Sequence, residues 1–335
     1  MKPQSTIQSL AKFLCSWTSS LFPPQEHGEM LKSFNLLTSM AFGTGGQKKL
    51  LRSNLCSDGT PLELSLALDD FGRFAVRFVC DVNYGIVPYP SLNESFRAFA
   101  DSVVPSHNGR SEMLDHLFKA HLAAAKEEAR FRVWYGAGFS PERPSIGKLY
   151  FNTEWLTLSE ILNVASDLVT PGDIKTLANL SILTTWPVVG VAYDFDSEGL
   201  KKVKLYVRPH QLRLDSLLDV VRSVCPERIG AFCQILTSVC GPPEGPIMRG
   251  NPVLSVGILP RSNAKEIKLY LQLADLELSS FQALAPLIQR TASGWGYSIN
   301  FPDAAVGPQG CSPTVFALGV DDEREMLSMY FKPDL

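Results

Sequence analysis

Hydrophobic and polar residues alternate strictly in KKVKLYVRP, residues 201–209. Lys202, Lys204, Tyr206 and Arg208 form one set, and Val203, Leu205 and Val207 form the other. A β-strand has a side-chain period of two, so the sets face opposite sides of a sheet. The same pattern recurs. GKLYFNTEW (147–155) carries Lys148 and Tyr150, EIKLYLQL (266–273) carries Lys268 and Tyr270, and MLSMYFKP (326–333) keeps Tyr330 with Ser328 in the lysine's place. Chance predicts roughly 0.4 Lys-x-Tyr pairs in a chain of this composition, so their recurrence every 56–64 residues marks one supersecondary unit used several times.

Each of these strands follows another strand across a turn. WPVVGVAYDF, DSEG and LKKVKLYVRP read as a hairpin. So do PVLSVGILP with EIKLYLQL, TVFALGV with MLSMYFKP, and RFRVWYGAGF with SIGKLYFNTEW. A fifth hairpin, TPLELSLAL with RFAVRFVCDV, puts Arg77 near the lysine position. Helix-like stretches at 157–183, 211–240 and 275–292 lie between hairpins. Paired strands argue against a parallel (β/α)₈ barrel, and ten antiparallel strands need closure or two covered faces. The predicted fold class is therefore α+β: repeated αββα units closing a ten-stranded antiparallel barrel surrounded by helices. It is expected as a single domain over 1–335, with an N-terminal helical segment at 1–54 and five hairpin/helix units at 55–335. In the N-terminal segment Leu10, Phe13, Leu14 and Trp17 fit one face of an amphipathic helix.

The alternation also assigns the faces. Val203, Leu205, Val207, Ile267, Leu269, Leu271, Leu327, Met329 and Phe331 are expected to pack on the outer helices, and the Lys/Tyr set to face the lumen. The first strand of each hairpin carries small residues two apart: Ser65 and Ala67, Gly136 and Gly138, Gly190 and Ala192, Ser255 and Gly257, Ala317 and Gly319. One such pair could merely ease helix packing, but five favour a hollow barrel.

Composition then removes alternatives. The net charge of −3 and pI near 6, without a basic tail, argue against nucleic acid. No apolar run reaches a membrane span, and the N-terminus is a poor signal peptide because Ser, Thr and Lys interrupt it. Seven cysteines with no CxxC pair suggest free thiols in the cytoplasm, with Cys225, Cys233 and Cys240 buried. GTGGQKK (43–49) lacks the spacing of a phosphate loop. DDERE (321–325) falls on a hairpin turn, where Asp is favoured for turn geometry. The histidines show no metal spacing; His116 and His121 fall on different helix faces.

The ring of cations and tyrosines resembles the soluble aromatic prenyltransferases of the αββα (ABBA) barrel type, closest to the tryptophan dimethylallyltransferase-like indole branch. GTPLELS (59–65) resembles the motif carrying that branch's acidic residue, here Glu63, and VRF (76–78) resembles its first pyrophosphate-binding arginine, Arg77. KLYF, KVKLYV, IKLYL and MYF supply Lys148, Tyr150, Lys202, Lys204, Tyr206, Lys268, Tyr270 and Tyr330. Lys202 and Lys268 stand where fungal members usually have arginine and glutamine, and the chain is shorter than theirs.

The resemblance implies transfer of a dimethylallyl or geranyl group from its diphosphate to a small indole acceptor. The alternatives are a phenolic or other aromatic acceptor, or a barrel that binds a hydrophobic ligand without turnover. Glu63 would hold the indole N–H. Arg77, Lys148, Lys202, Lys204 and Lys268 would hold the diphosphate, and Tyr150, Tyr206, Tyr270 and Tyr330 would shield the carbocation. Trp295 and Tyr297 are candidates for the acceptor pocket, with a core or lid role as the alternative. No metal ligands or required cofactor are expected, with Mg²⁺ at most stimulatory, and the protein is expected as a monomer or homodimer.

Overall fold

The computed structural model describes residues 24–42, most of 53–81, a few positions between 94 and 103, 110–124, nearly all of 133–240, 252–297 apart from 261–263 and 277–280, and 311–333. The expected helix around Leu10–Trp17 and the GTGGQKK stretch lie outside these residues.

Ten strands form a closed antiparallel barrel in which each pairs with its sequence neighbours. They are β1 (Leu62–Asp69), β2 (Phe74–Asp81), β3 (Val133–Ser140), β4 (Arg143–Asn152), β5 (Val188–Asp196), β6 (Gly199–Val207), β7 (Val253–Ile258), β8 (Lys265–Gln272), β9 (Cys311–Asp321) and β10 (Glu325–Pro333). Closure comes from β1 against β10, with Leu64 opposite Phe331 and Ser65 opposite Tyr330. Helices fill the connections: α1 (Pro24–Phe42), α2 (Arg110–Ala124), α3 (Leu158–Ser166), α4 (Pro171–Ala178), α5 (Ser181–Thr185), α6 (Leu214–Val224), α7 (Ile229–Cys240) and α8 (Phe281–Gly294). The five-hairpin barrel is the fold expected from the sequence. Two of the helix-like stretches are subdivided, since 157–183 forms three short helices and 211–240 forms two. Capping boxes cause part of that subdivision. Thr157 with Glu160 and Thr170 with Asp173 satisfy the first free N–H groups of α3 and α4 and fix where each begins.

The core lies between barrel and helices. Val203, Leu205, Val207, Ile267, Leu269, Leu271, Leu327, Met329 and Phe331 are all buried there, as the alternation required. In α6, Leu217, Val220, Val221 and Val224 are buried at helical spacing, which gives one apolar face toward the sheet.

Three hairpins turn by the same device. Asp69, Asp196 and Asp321 end the first strand, and the Oδ1 of each accepts backbone N–H bonds from the turn: Phe71 and Arg73, Glu198, and Glu323 and Arg324. The aspartate that opens DDERE is thus a turn residue, as expected. No helix among the described residues is long and apolar enough to cross a membrane. The described cysteines are free; Cys225 is buried, whereas Cys233, expected to be buried, is half-buried because it sits on the partly exposed side of α7. The Cys240 side chain lies outside the described residues.

Candidate active site

The strand register explains why the lumen is hollow. Lys148 lies beside Gly136, Lys204 beside Ala192 and Gly257, Lys268 beside Ser255 and Gly319, and Arg77 beside Gly138. Tyr206 lies between Gly190 and Ser255, Tyr270 beside Ala317, and Tyr330 beside Ser65. Each large lumenal side chain therefore extends over a small one. At Gly319 the fit is closest: a Cβ there would stand 2.4 Å from Lys268 Cγ and 2.6 Å from the Ile267 carbonyl oxygen.

The resulting cavity has a volume of ≈ 330 Å³ and is lined by Arg77, Lys148, Lys202, Lys204 and Lys268. That is within the lower range for small-ligand pockets. It opens at the hairpin-turn end, past Asp69, Arg73, Asp196 and Arg324. Farther along the same strands the tyrosines form a continuous row. Ring centroids are 6.1 Å apart from Tyr150 to Tyr206, 5.8 Å to Tyr270 and 6.0 Å to Tyr330. Trp134, opposite Tyr150 on β3, extends the row at 6.5 Å. Burial holds the Tyr150, Tyr206 and Tyr330 hydroxyls far above ordinary phenol pKa, so they remain neutral donors.

The cations are not a bare ring, which corrects the sequence-based picture. Asp194 of β5 and Glu266 of β8, both buried, face them. Lys148 Nζ is 2.5 Å from Asp194 Oδ2, and Lys202 Nζ is 2.5 Å from Glu266 Oε2. Lys204 Nζ lies between the carboxylates, 3.0 Å from Glu266 and 3.8 Å from Asp194. Burial lowers the Lys148 ammonium to about 7 despite Asp194. At Lys204 burial is outweighed by Glu266 and Asp194, and its pKa is raised. Lys268 and Arg77 differ: among the described residues neither forms an ion pair within 4.0 Å. Burial drives the Lys268 ammonium well below its usual value.

Sequence reasoning missed Asp194, Glu266 and Trp134, although the period-two signal was available. Glu266 precedes Lys268 by two residues, and Asp194 follows Ala192 by two. The expected acceptor-side aromatics lie elsewhere. Trp295 sits outside the barrel and donates from Nε1 to Glu325 Oε2 at 2.5 Å. Tyr297 is 37% exposed, with its ring against Gly72 of the β1–β2 turn. The exit of α8 brings both to the outer side of the hairpin turns, so neither lines the lumen. His121 is likewise outside, bonded to Tyr193 at 2.9 Å, and no cluster of His, Cys, Asp or Glu suited to a metal occurs among the described residues.

Glu63 is on the lumenal face of β1, where its Oε1 accepts a 3.3 Å bond from Thr314. Burial raises its carboxyl from 4.5 to about 8, opposed only by that bond. The folded chain therefore keeps a proton that the unfolded chain releases, and stability falls as pH rises from about 4.5 to about 8. Glu63→Gln cannot ionise, so its melting temperature should gain on the wild type across pH 5 to 8 and run parallel above. A constant gap at all pH values would place Glu63 in a solvated site.

Comparison with known proteins agrees with the fold. No protein-family model matches the chain, and no curated protein matches it by sequence. Among solved structures, 5-dimethylallyltryptophan synthase from Streptomyces coelicolor is similar at a TM-score of 0.72 and 16% identity, covering 98% of this chain and 97% of its own. 6-Dimethylallyltryptophan synthase from Micromonospora olivasterospora, in complex with DMASPP and Trp, is similar at 0.75 and 16%, covering 98% and 96%. The prenyltransferase PriB, in a ternary complex with L-tryptophan and dimethylallyl thiolodiphosphate, is similar at 0.68 and 15%, covering 98% and 95%. The chain has the barrel fold of these indole prenyltransferases.

Proposed function

We propose that the protein is an aromatic prenyltransferase that moves an allylic group from its diphosphate to a small indole acceptor. The observation that carries this reading is the pair Arg77 and Lys268. Two basic side chains, half-buried Arg77 and buried Lys268, face a cavity beside a row of tyrosine rings with no carboxylate within 4.0 Å among the described residues. Charged groups are buried at a cost of several kcal/mol unless something pairs with them. An anion entering from the open end supplies the missing partner and restores to Lys268 the charge that burial takes from it.

The chemistry follows from the placement. Breakage of the allylic C–O bond leaves both electrons on the diphosphate and an allylic cation behind. Arg77 and the four lysines meet the growing negative charge without solvent rearrangement. Arg77 can engage phosphate oxygens in a fork, whereas lysines act as point charges. The rings of Tyr150, Tyr206, Tyr270 and Tyr330 present π-faces to the cation and exclude water that would quench it. An indole carbon then forms the new C–C bond, and its proton passes to a base, which the released diphosphate can serve as, to restore aromaticity. Glu63 is the residue we assign to the indole N–H; a hydrogen bond from that N–H favours its carboxylate form.

Incubation with dimethylallyl diphosphate and a panel of indoles should give prenylated indole and free pyrophosphate, detected by mass spectrometry. Because the charge comes from side chains, transfer should persist in EDTA, with Mg²⁺ no more than a stimulant. Product from phenols alone would move the acceptor assignment. Tight donor-analogue binding with no product from any acceptor would leave a ligand-binding barrel. Strict Mg²⁺ dependence would remove the role given to the lysines.

A further inference from the structure

Asp194 and Glu266 pose a problem for an anion site, because they bring negative charge into it. Their positions in the sheet indicate what they do. Lys148, Asp194 and Lys202 are register neighbours across β4, β5 and β6, so a carboxylate lies between two ammonium groups. Lys204 and Glu266 flank Gly257 across β6, β7 and β8. A Cβ on Gly257 would lie 3.3 Å from Lys204 Cγ, 3.4 Å from Lys202 Cδ and 3.5 Å from Glu266 Cβ. The glycine leaves the gap over which these side chains meet. Both carboxylates are nearly inaccessible, and Asp194 Oδ1 has no hydrogen-bond partner although it is buried.

We propose that Asp194 and Glu266 are positioning residues of the diphosphate site, fixing the Nζ groups of Lys148, Lys202 and Lys204 in place before the donor arrives and favouring their charged form. This rests on reading the lumen as a diphosphate site. Burial by itself discharges a lysine, and a discharged lysine gives an anion no charge to bind. A carboxylate at 2.5–3.0 Å opposes that loss; it prevails at Lys204, whose pKa is raised, and limits the drop that burial causes at Lys148 and Lys202. Each ammonium has three donors, so it can keep its carboxylate and still reach a phosphate oxygen.

Glu266 is surrounded by charge from several elements. Lys202 and Lys204 of β6 and Lys268 and Tyr270 of β8 act on it or beside it. Arg77 of β2, Asp194 of β5 and Lys148 of β4 belong to the same cluster. Asp321, its register partner on β9, Arg324 of the adjoining turn and the Cys225 thiol complete the set. Loss of its charge has two opposed consequences. With all lysines protonated, the lumen becomes more positive and holds an anion more firmly. At higher pH the lysines lose their protons sooner, and the anion is held less firmly.

Pyrophosphate binding by the full chain, measured calorimetrically from pH 6 to 9 at fixed ionic strength, separates these effects. Glu266→Gln should bind at pH 6 at least as tightly as the wild type, and at pH 9 about tenfold or more weakly, so the two curves cross. Glu266→Asp should return the wild-type profile. Asp194→Asn, which leaves Lys202 its partner, should cross in the same way and serves should Glu266→Gln not fold. A variant-to-wild-type ratio that is constant with pH would mean a purely structural role and overturn the proposal. Failure of the wild type itself to bind pyrophosphate at any pH would instead remove the diphosphate reading on which it rests.

Discussion

Lys268→Met should lower prenyl transfer by about 10²–10³-fold, the typical cost of removing one preplaced group that stabilises transition-state charge. The same change should leave the melting temperature unaltered or raised. Lys268 is 2% exposed, has no ion-pair partner within 4.0 Å among the described residues and is held well below its usual pKa by burial. A methionine of similar length removes that burden and leaves Glu266 paired with Lys202 and Lys204. Single-turnover rates with dimethylallyl diphosphate and thermal melts on the same preparations give both quantities. Near-normal transfer would discard Lys268 as a diphosphate ligand, and a large drop in melting temperature would show it to be a structural residue.

Lys204→Ala is expected to behave differently, losing about 1.5–3 kcal/mol of stability, the cost of a hydrogen bond to a charged group. Its ammonium lies between two buried carboxylates, each of which keeps one other lysine, Glu266 with Lys202 and Asp194 with Lys148. Chemical denaturation of Lys204→Ala, Glu266→Gln and the double variant tests this as a cycle. The double variant should lose less than the sum of the two single losses, because both single changes remove the same Lys204–Glu266 contact. Additive losses would show that Lys204 and Glu266 do not depend on one another. Transfer should also fall in Lys204→Ala, but in this variant a lower rate mixes instability with lost catalysis. Lys268 is the cleaner probe of the chemistry.

Much of this was legible because two periods coincide in the sequence. The Lys-x-Tyr spacing of two gives the face, and its return about every 60 residues gives the hairpin unit, so ten strands and their inward side follow from residues such as Lys204 and Tyr206. What alternation cannot give is the neighbour across the barrel. Lys202 meets Glu266, 64 positions away, only because β6, β7 and β8 pair in one register over Gly257. A carboxylate in a lumen read as an anion site also opposes the expected charge sign, and on a strand beside a turn it resembles an ordinary solvated residue. Trp295 and Tyr297 were misplaced for another reason. An aromatic cluster after a helix says nothing about the direction in which the helix leaves the barrel, and here a contact with Glu325 and packing on Gly72 place them outside.

The seam between β1 and β10 also bears on how the protein is made. Leu64 and Phe331 are adjacent in space but almost the full length of the barrel sequence apart. On the ribosome β1 emerges before the other nine strands and waits with one edge unpaired until β10 has been synthesised. Nine strands without the tenth form an open sheet with two raw edges, a template for pairing with another chain. Contacts of such long range also slow folding. The cavity cannot exist in any partly made chain, because its wall is completed by the last strand to appear. The nascent protein is thus obliged to hold its inward-facing lysines and tyrosines open to water, and its outer apolar rows open to other chains, until β10 has been made.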